Sequence, residues 1–179
     1  MNIKLMSFEE NDIPNLIRWV PGPGASDLWA SRTYPYPLSE LMVSTHLQKA
    51  DRRPVELRVY KVVVEGSAEP VGHVELDHFD HQVQSVRISR LFISPEYRKC
   101  GVAQQAVEQL LKKCFIELNL NRIEVYALES NYPALRLYEK LGFRQEGFLR
   151  ENMVLNGIKQ GSFILSLLKS DGAAVNFTA

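Results

Sequence analysis

The 179-residue chain has little of what marks several common protein classes. Its two cysteines, Cys100 and Cys114, are too few for a disulfide framework and suit a reducing compartment. Its 21 Lys and Arg balance its 21 Asp and Glu, so the net charge indicates neither nucleic-acid binding nor attachment to an anionic membrane. No apolar run approaches the length of a membrane span, and residues 1–5 lack the core of a signal peptide. We therefore expect a cytoplasmic protein with no nucleic-acid or membrane partner.

The chain does contain enough apolar material for one folded domain. Apolar residues make up 45% of the sequence, which can fill a sizeable core at this length. The sequence shows no internal repeat and no linker, and we expect no second domain. We predict a single domain at 1–169 and a disordered tail at 170–179, because the last residues are small and polar.

Hydrophobic periodicity predicts the elements of this domain. Strands are expected at 3–8, 57–65, 71–76, 83–93 and 122–127, and a final hairpin at 143–155 and 158–168 turns at Asn156-Gly157. Helical spacing predicts helices at 9–20, 38–50, 102–118 and 131–142, with Cys114 on the apolar stripe of the third. Residues 77–82 are expected to form a polar loop. The resulting order, β-α-α-β-β-β-α-β-α-β-β, predicts a mixed sheet covered by helices.

The most informative stretch is 98–103, which links the apolar run 89–93 to the long helical pattern from Val102. A turn of this kind from strand to helix exposes the free N–H groups and the partial positive charge of a helix N-terminus, which suit a phosphate. Gly101 lets the main chain approach a ligand without a Cβ in the way. The alternative for this stretch alone is an ordinary turn.

A second stretch, 131–143, has the features of a short capped helix. Asn131 is a good N-cap, Pro133 lies in the first turn, and Gly142 ends the helix. R-x-x-G-x-A after a strand, followed one strand later by N-x-x-A-x-x-L-Y-E-K-x-G-F, resembles the GNAT superfamily of acyl-CoA-dependent N-acetyltransferases. The element order from 3 to 169 is similar to the GNAT fold as well. This resemblance implies an α/β (α+β) fold with a mixed, mostly antiparallel central sheet of about seven strands flanked by four helices.

The resemblance implies an enzyme that moves an acetyl group from acetyl-CoA to a primary amine by direct transfer, without a metal. Residues 146–150, Asn156-Gly157 and Leu167-Leu168 look like the branch that acetylates N-terminal amines of ribosomal proteins, although polyamine and aminoglycoside acetyltransferases share much of that pattern. The acceptor therefore stays open between a protein N-terminus, an amino acid, a polyamine and an aminoglycoside-like molecule. The protein is expected to be a monomer or a homodimer. A non-catalytic acyl-CoA-binding sensor or partner subunit of the same fold is the alternative.

The resemblance also implies where acetyl-CoA binds. The turn would hold the CoA pyrophosphate through its main chain, at Arg98, Lys99, Cys100, Gly101, Val102, Ala103 and Gln104. The pantetheine arm would run like an added strand along Leu91, Phe92 and Ile93, where a backbone N–H polarises the thioester carbonyl; an ordinary buried strand is compatible with this role. Asn131 would hydrogen-bond the pantetheine arm as well as cap its helix. Cys100 in the exposed turn could form a mixed disulfide with CoA.

Tyr138 is the expected general acid, because the GNAT pattern has a tyrosine here that protonates the CoA thiolate. A phenol with an ordinary pKa of about 10 stays protonated at neutral pH and can donate to a sulfur anion. From periodicity alone, Tyr138 would be a core tyrosine beside Ala134 and Leu141.

The general base is less clearly indicated. Alternation places His73, Glu75 and Asp77 on one face of a strand, where Glu75 or His73 could take a proton from the amine. A solvated strand face is the alternative. At the position where some family members carry a base glutamate, rough alignment places Arg87.

Two further stretches have open interpretations. Residues 77–81 contain zinc-type ligands, but a solvated hairpin loop explains them and we predict no metal site. Trp29, Tyr34 and Tyr36 lie where GNAT proteins place acceptor-binding loops. They would form an apolar or cation-holding wall for the substrate, or else pack those loops on the sheet.

Overall fold

The computed structural model describes residues 1–20, 22–24, 29, 34–67 and 69–172. The strands are β1 (Ile3–Ser7), β2 (Leu57–Val64), β3 (Pro70–Asp80), β4 (Ser85–Ile93), β5 (Arg122–Leu128), β6 (Arg144–Leu155) and β7 (Ile158–Leu168). The α-helices within the described residues are α1 (Ile13–Trp19), α2 (Glu40–Leu47), α3 (Val102–Lys112), α4 (Tyr132–Lys140) and the short α5 (Lys169–Gly172). The strands form one sheet in the order β1-β2-β3-β4-β5-β7-β6, in which β4 and β5 are parallel and the other neighbours antiparallel. The predicted fold class is confirmed, and the short α5 was not anticipated.

The two faces of the sheet are covered by different helices. Alternation along β2 directs Leu57 and Val59 toward α1 and α2, and Tyr60 and Val62 toward α3. The apolar stripe of α3 is buried on that second face, where Tyr138 of α4 and the inner residues of β5 and β7 join the same core. As predicted, Cys114 lies in this core; it sits in a π-helical turn, Lys113–Glu117, that extends α3.

Local signals set the ends of the helices. The Ser39 hydroxyl accepts from the Met42 N–H at the start of α2, and the Asn131 side chain accepts from the Ala134 N–H at the start of α4, as predicted. The first turn of the helix expected at 9–20 is instead a 3₁₀ turn, Glu10–Asp12, and α2 likewise ends in a 3₁₀ turn at Gln48–Asp51. None of the helices in the described ranges combines the length and the apolar character that crossing a membrane requires.

The loop expected at 77–82 is wrong for residues 77–80. β3 continues to Asp80, because Asp77 pairs with both Leu57 and Arg87 and Asp80 pairs with Ser85. The charge of Asp77, which suggested a loop, is accommodated in the sheet by an ion pair with Arg90. At the C-terminus, 169–172 are helical, and 173–179 lie outside the described residues.

Candidate active site

The sheet opens between β4 and β5. The two strands pair from Ser85 with Arg122 to Ile88 with Val125, after which β5 continues along β7 and β4 continues along β3. Residues 89–93 therefore border an opening that we call the β4–β5 gap. Main-chain groups on an unpaired side of a strand can hydrogen-bond an extended ligand. Phe92 points to one face of the sheet, and Leu91 and Ile93 to the other, so their side chains pack while the main chain borders the gap.

The turn after β4 carries the N-terminus of α3. Gly101 is the N-cap, with φ of 79°, and no side chain caps the first turn. The first N–H groups of α3 and the positive end of its dipole thus face outward next to Lys99. A Cβ on Gly101 would meet nothing closer than Gln105 Nε2 at 3.9 Å, so the main chain there is open to a ligand. These residues fit a diphosphate.

Side chains of the same turn hydrogen-bond the end of β4, the turn itself and the end of α4. Arg98 Nε donates to the Ile93 carbonyl at 2.9 Å, and its guanidinium lies 5.2 Å from the centre of the Phe92 ring. The exposed Cys100 thiol donates to the Arg98 carbonyl at 3.4 Å. Gln104 Oε1 accepts from Lys140 Nζ at 2.7 Å, which connects the start of α3 to the end of α4. The turn and the helix that carries Tyr138 are therefore joined directly.

Tyr138 lies in the apolar core beneath α3. Its side chain is 6% exposed, its ring centre is 5.4 Å from that of Phe143, and Leu91 packs against the same core cluster. Its hydroxyl makes no hydrogen bond to any residue in the described part of the chain, and burial raises its pKa to about 12. The phenol is thus protonated throughout the physiological range. The packing role is present, and it leaves the proton available for a role as an acid.

A buried ionic cluster, formed by His46, His73, Glu75, Asp77 and Arg90, lies on the α1–α2 face of the sheet. Glu75 Oε2 is 2.8 Å from His46 Nε2 and 2.7 Å from Arg90 Nε, and Glu75 Oε1 is 3.4 Å from His73 Nε2. Arg90 Nη2 also pairs with Asp77. The prediction that His73, Glu75 and Asp77 share one face is confirmed. The solvated-face alternative is wrong, because this face is covered.

The charges in the cluster stabilise one another. Burial opposes ionisation of Glu75, but the hydrogen bond with His46 and the charge of Arg90 outweigh it and lower the pKa of Glu75. Burial lowers the pKa of His73 and so favours its neutral form. Glu75 is therefore a fully buried carboxylate with neighbours at both oxygens, and its role as a base stays a prediction.

Two of the three residues expected near the acceptor pack next to this cluster. Trp29 stacks on Tyr34 with ring centres 5.4 Å apart, and its indole N–H donates to the Arg90 carbonyl at 2.7 Å. Tyr34 is 1% exposed, and burial together with the nearby Glu75 raises the pKa of its phenol. Tyr36 is 46% exposed on the surface. Trp29 and Tyr34 thus pack on the sheet, and an acceptor role for all three residues stays a prediction.

Sequence reasoning missed His46 and the structural role of Arg90. A charged residue inside the apolar run 89–93 was an available signal for Arg90, whereas His46 on a surface-like helix gave none.

The side chains of 77–81 have separate local roles: His78 Nδ1 lies 2.7 Å from Asp77, Asp80 caps the next turn, and His81 contacts a carbonyl. In the parts of the chain that are described, no group of three or more His, Cys, Asp or Glu side chains is arranged to hold a metal ion.

Asp77 gives a testable pH dependence of stability. Burial alone would raise its pKa, but the hydrogen bond from His78 and the charge of Arg90 bring it from 3.8 to about 2. A lowered pKa stabilises the fold above the ordinary value, and this stabilisation is lost as the pH falls through the folded value. Asp77→Asn should therefore remove about 2 kcal/mol of pH-dependent stability at pH 7 and about half of that at pH 3.

Urea unfolding at both pH values measures this difference. The control is Glu69→Gln, which removes an exposed pair with Arg18 and should cost no more than about 0.5 kcal/mol. A gap between wild type and Asp77→Asn that stays constant from pH 7 to pH 3 would show that the Asp77 carboxylate is not stabilised by its neighbours.

Known proteins resemble the chain in both sequence and fold. Residues 26–143 match the sequence profile of the Acetyltransferase (GNAT) family. The chain is 28% identical to spermidine N(1)-acetyltransferase of Escherichia coli over 158 residues, which cover 87% of this chain and 80% of that protein. It is 29% identical to YdaF of Bacillus subtilis, named as a candidate ribosomal N-acetyltransferase, over 100 residues that cover 56% of this chain and 54% of that one.

A solved structure shares the fold over nearly its whole length. Spermidine N-acetyltransferase from Vibrio cholerae, crystallised in complex with CoA and spermine, matches with a TM-score of 0.82 over 94% of this chain and 96% of that one. The two sequences are 24% identical, so this likeness shows the fold. The relatives include a spermidine and a candidate ribosomal acetyltransferase, so the ribosomal branch suggested by the C-terminal pattern is not singled out.

Proposed function

The chain belongs to the acetyltransferase (GNAT) family, and we propose that it acetylates a primary amine of a polyamine such as spermidine. Membership makes it an N-acetyltransferase that takes the acetyl group from acetyl-CoA. The observation that carries acetyl transfer from acetyl-CoA is the β4–β5 gap, which leads from the uncapped N-terminus of α3 toward the core that contains Tyr138. One end suits the diphosphate of CoA, and the other holds a protonated phenol.

The transfer requires one bond to form and one to break. The neutral amine nitrogen attacks the thioester carbonyl carbon, the new C–N bond forms, and the C–S bond breaks. The departing thiolate takes the proton of the Tyr138 phenol and leaves a phenolate. The acetylated nitrogen loses its proton to solvent, and the phenolate takes a proton back from solvent. Acetyl-CoA and the amine thus become the N-acetyl amine and CoA, with no acyl-enzyme intermediate.

The polyamine acceptor is supported by the Escherichia coli and Vibrio cholerae relatives, which are named as spermidine acetyltransferases. A peptide N-terminus is the second candidate, and a specific observation favours it. The buried carboxylates of Glu75 and Asp77 are both paired with Arg90, so this cluster offers little net negative charge to a polycation. A peptide N-terminus carries a single amine, so its binding requires less negative charge in the protein than the binding of a polyamine.

Release of CoA thiol from acetyl-CoA, measured over a set of amines, tests the proposal. The set contains spermidine, spermine, a peptide with a free N-terminus, a free amino acid and an aminoglycoside, with a reaction lacking amine as the control for hydrolysis. We expect kcat/KM for spermidine to exceed that for the amino acid about tenfold or more, a difference of about 1.4 kcal/mol in transition-state binding. A higher value for the peptide would replace the polyamine by the second candidate, and no amine-dependent release would overturn both.

A further inference from the structure

β4 contains a bulge where it borders the gap. His73 pairs with Phe92 and Glu75 pairs with Ser89, so Arg90 and Leu91 together face Val74. Such an extra residue bends a strand and redirects its main-chain groups. Arg90 has φ of 51°, in the left-handed region that is unfavourable for a residue with a Cβ. A conformation of this kind persists only where surrounding contacts hold it.

The main chain of Arg90 is held from one side. Its carbonyl accepts from the Trp29 indole N–H at 2.7 Å and lies 3.2 Å from His73 Nδ1. The Arg90–Leu91 peptide is trans, and in a trans peptide the C=O and the following N–H point in opposite directions. His73 is on β3, across β4 from the gap. The Leu91 N–H is therefore directed away from both His73 and Trp29.

The side chain of Arg90 is held as well. Its guanidinium is 10% exposed and pairs with both Glu75 and Asp77, and Glu75 is held in turn by His46. Burying several charged side chains costs desolvation energy, and apolar side chains in the same place would not carry this cost. The main chain and the side chain of Arg90 are thus both held by neighbouring residues. Arg90 is also the residue of β4 whose left-handed backbone conformation needs such support.

We infer that Glu75 and Arg90 are a positioning pair that holds the bulge so that the Leu91 N–H faces the carbonyl oxygen of a thioester in the gap. This inference rests on the proposed function and assigns Glu75 a role other than that of general base. A main-chain donor aimed at the developing oxyanion is effective because it is preorganised. The ionic pair supplies that preorganisation from outside the gap and touches no reacting atom.

Three variants and a control test the pair: Glu75→Gln, Arg90→Gln, the double variant, and Arg87→Gln. Arg87 is a matched control, because it lies on β4 before the gap and its guanidinium is 3.6 Å from Glu124 and 3.9 Å from the Tyr126 ring centre. The readouts are kcat, the KM for acetyl-CoA, urea unfolding, and the infrared carbonyl band of bound acetyl-CoA labelled with ¹³C at the carbonyl.

We expect each single variant to lower kcat about 100-fold, as loss of an oxyanion donor does, with KM for acetyl-CoA nearly unchanged. The double variant should show the same loss and not the product of two losses, because the pair acts as a unit. The carbonyl band of bound acetyl-CoA should lie at lower wavenumber than in free acetyl-CoA for wild type and Arg87→Gln. In the other variants that shift should be lost.

Three outcomes would overturn the inference. One is a carbonyl band in wild type that equals that of free acetyl-CoA. Another is a loss of kcat in Glu75→Gln with the band unchanged and Arg90→Gln active, which is the behaviour of a base. The third is recovery of stability and kcat together in the double variant, which indicates charge compensation alone. If wild type acetylates no amine but shows a band shift that depends on Arg90, the proposed function fails and the positioning pair stands.

Discussion

Replacing Tyr138 with phenylalanine is expected to lower kcat about 100-fold or more, while the affinity for CoA stays the same. The substitution removes the proton that the departing thiolate needs and leaves the diphosphate site at the start of α3 untouched. It should not destabilise the fold, because the hydroxyl makes no hydrogen bond to another described residue. Steady-state kinetics, CoA calorimetry and thermal unfolding measure the three quantities separately.

Burial in the core shifts the pKa of a phenol and that of a thiol in the same direction. Burial raises the pKa of Tyr138 to about 12. Burial also raises the pKa of the Cys114 thiol to about 12, in the same apolar cluster. Desolvation of a CoA thiolate in the gap would raise its basicity in the same direction, which favours transfer of the phenol proton. Because a raised pKa keeps Tyr138 protonated below that value, kcat of the wild type should not fall between pH 7 and pH 10 through loss of this proton.

Tyr132→Phe is the matched control, since Tyr132 is on the same helix but 67% exposed. It should have the kcat of the wild type. A Tyr138→Phe enzyme with the same kcat as Tyr132→Phe would remove Tyr138 from the chemistry and leave it a packing role.

The second large effect is expected at Gly101, where substitution by valine should weaken CoA binding about tenfold or more, equal to about 1.4 kcal/mol. Gly101 has φ of 79°, which a β-branched residue adopts only with strain, so the main chain that begins α3 should shift. The added side chain would also occupy the open space beside Gly101. Calorimetry with CoA measures the affinity.

Gly66→Val separates strain from binding. Gly66 has φ of 88°, its Cβ would meet nothing within 4 Å, and it lies in the β2–β3 turn. Both variants should lose a similar stability, about 1–2 kcal/mol, whereas the change in affinity is confined to Gly101→Val. Equal CoA affinity in both variants would place the diphosphate away from the turn.

The parts of the fold that the sequence predicted are those with local signals. The helix from Val102 follows from its apolar stripe, the start of α4 from the Asn131 cap, and the β6–β7 hairpin from Asn156-Gly157. Each depends on residues close together in the chain, whose side-chain spacing and backbone preferences are visible in the sequence.

What the sequence did not reveal depends on contacts between distant segments. The extension of β3 through Asp77 follows from pairing with β2 and β4, and from the charge of Arg90 thirteen positions away. His46 is brought to Glu75 by the packing of α2 on the sheet. The bulge at Arg90 is a difference in register between two strands. Local spacing carries no information on any of these.

The most direct test of the account is a crystal structure of the protein with CoA. We expect diphosphate oxygens within about 2.7–3.2 Å of main-chain nitrogens at 101–104, the pantetheine arm beside 91–93, and the sulfur next to the Tyr138 hydroxyl. A CoA molecule bound outside the β4–β5 gap, or with its diphosphate away from Gly101, would contradict it.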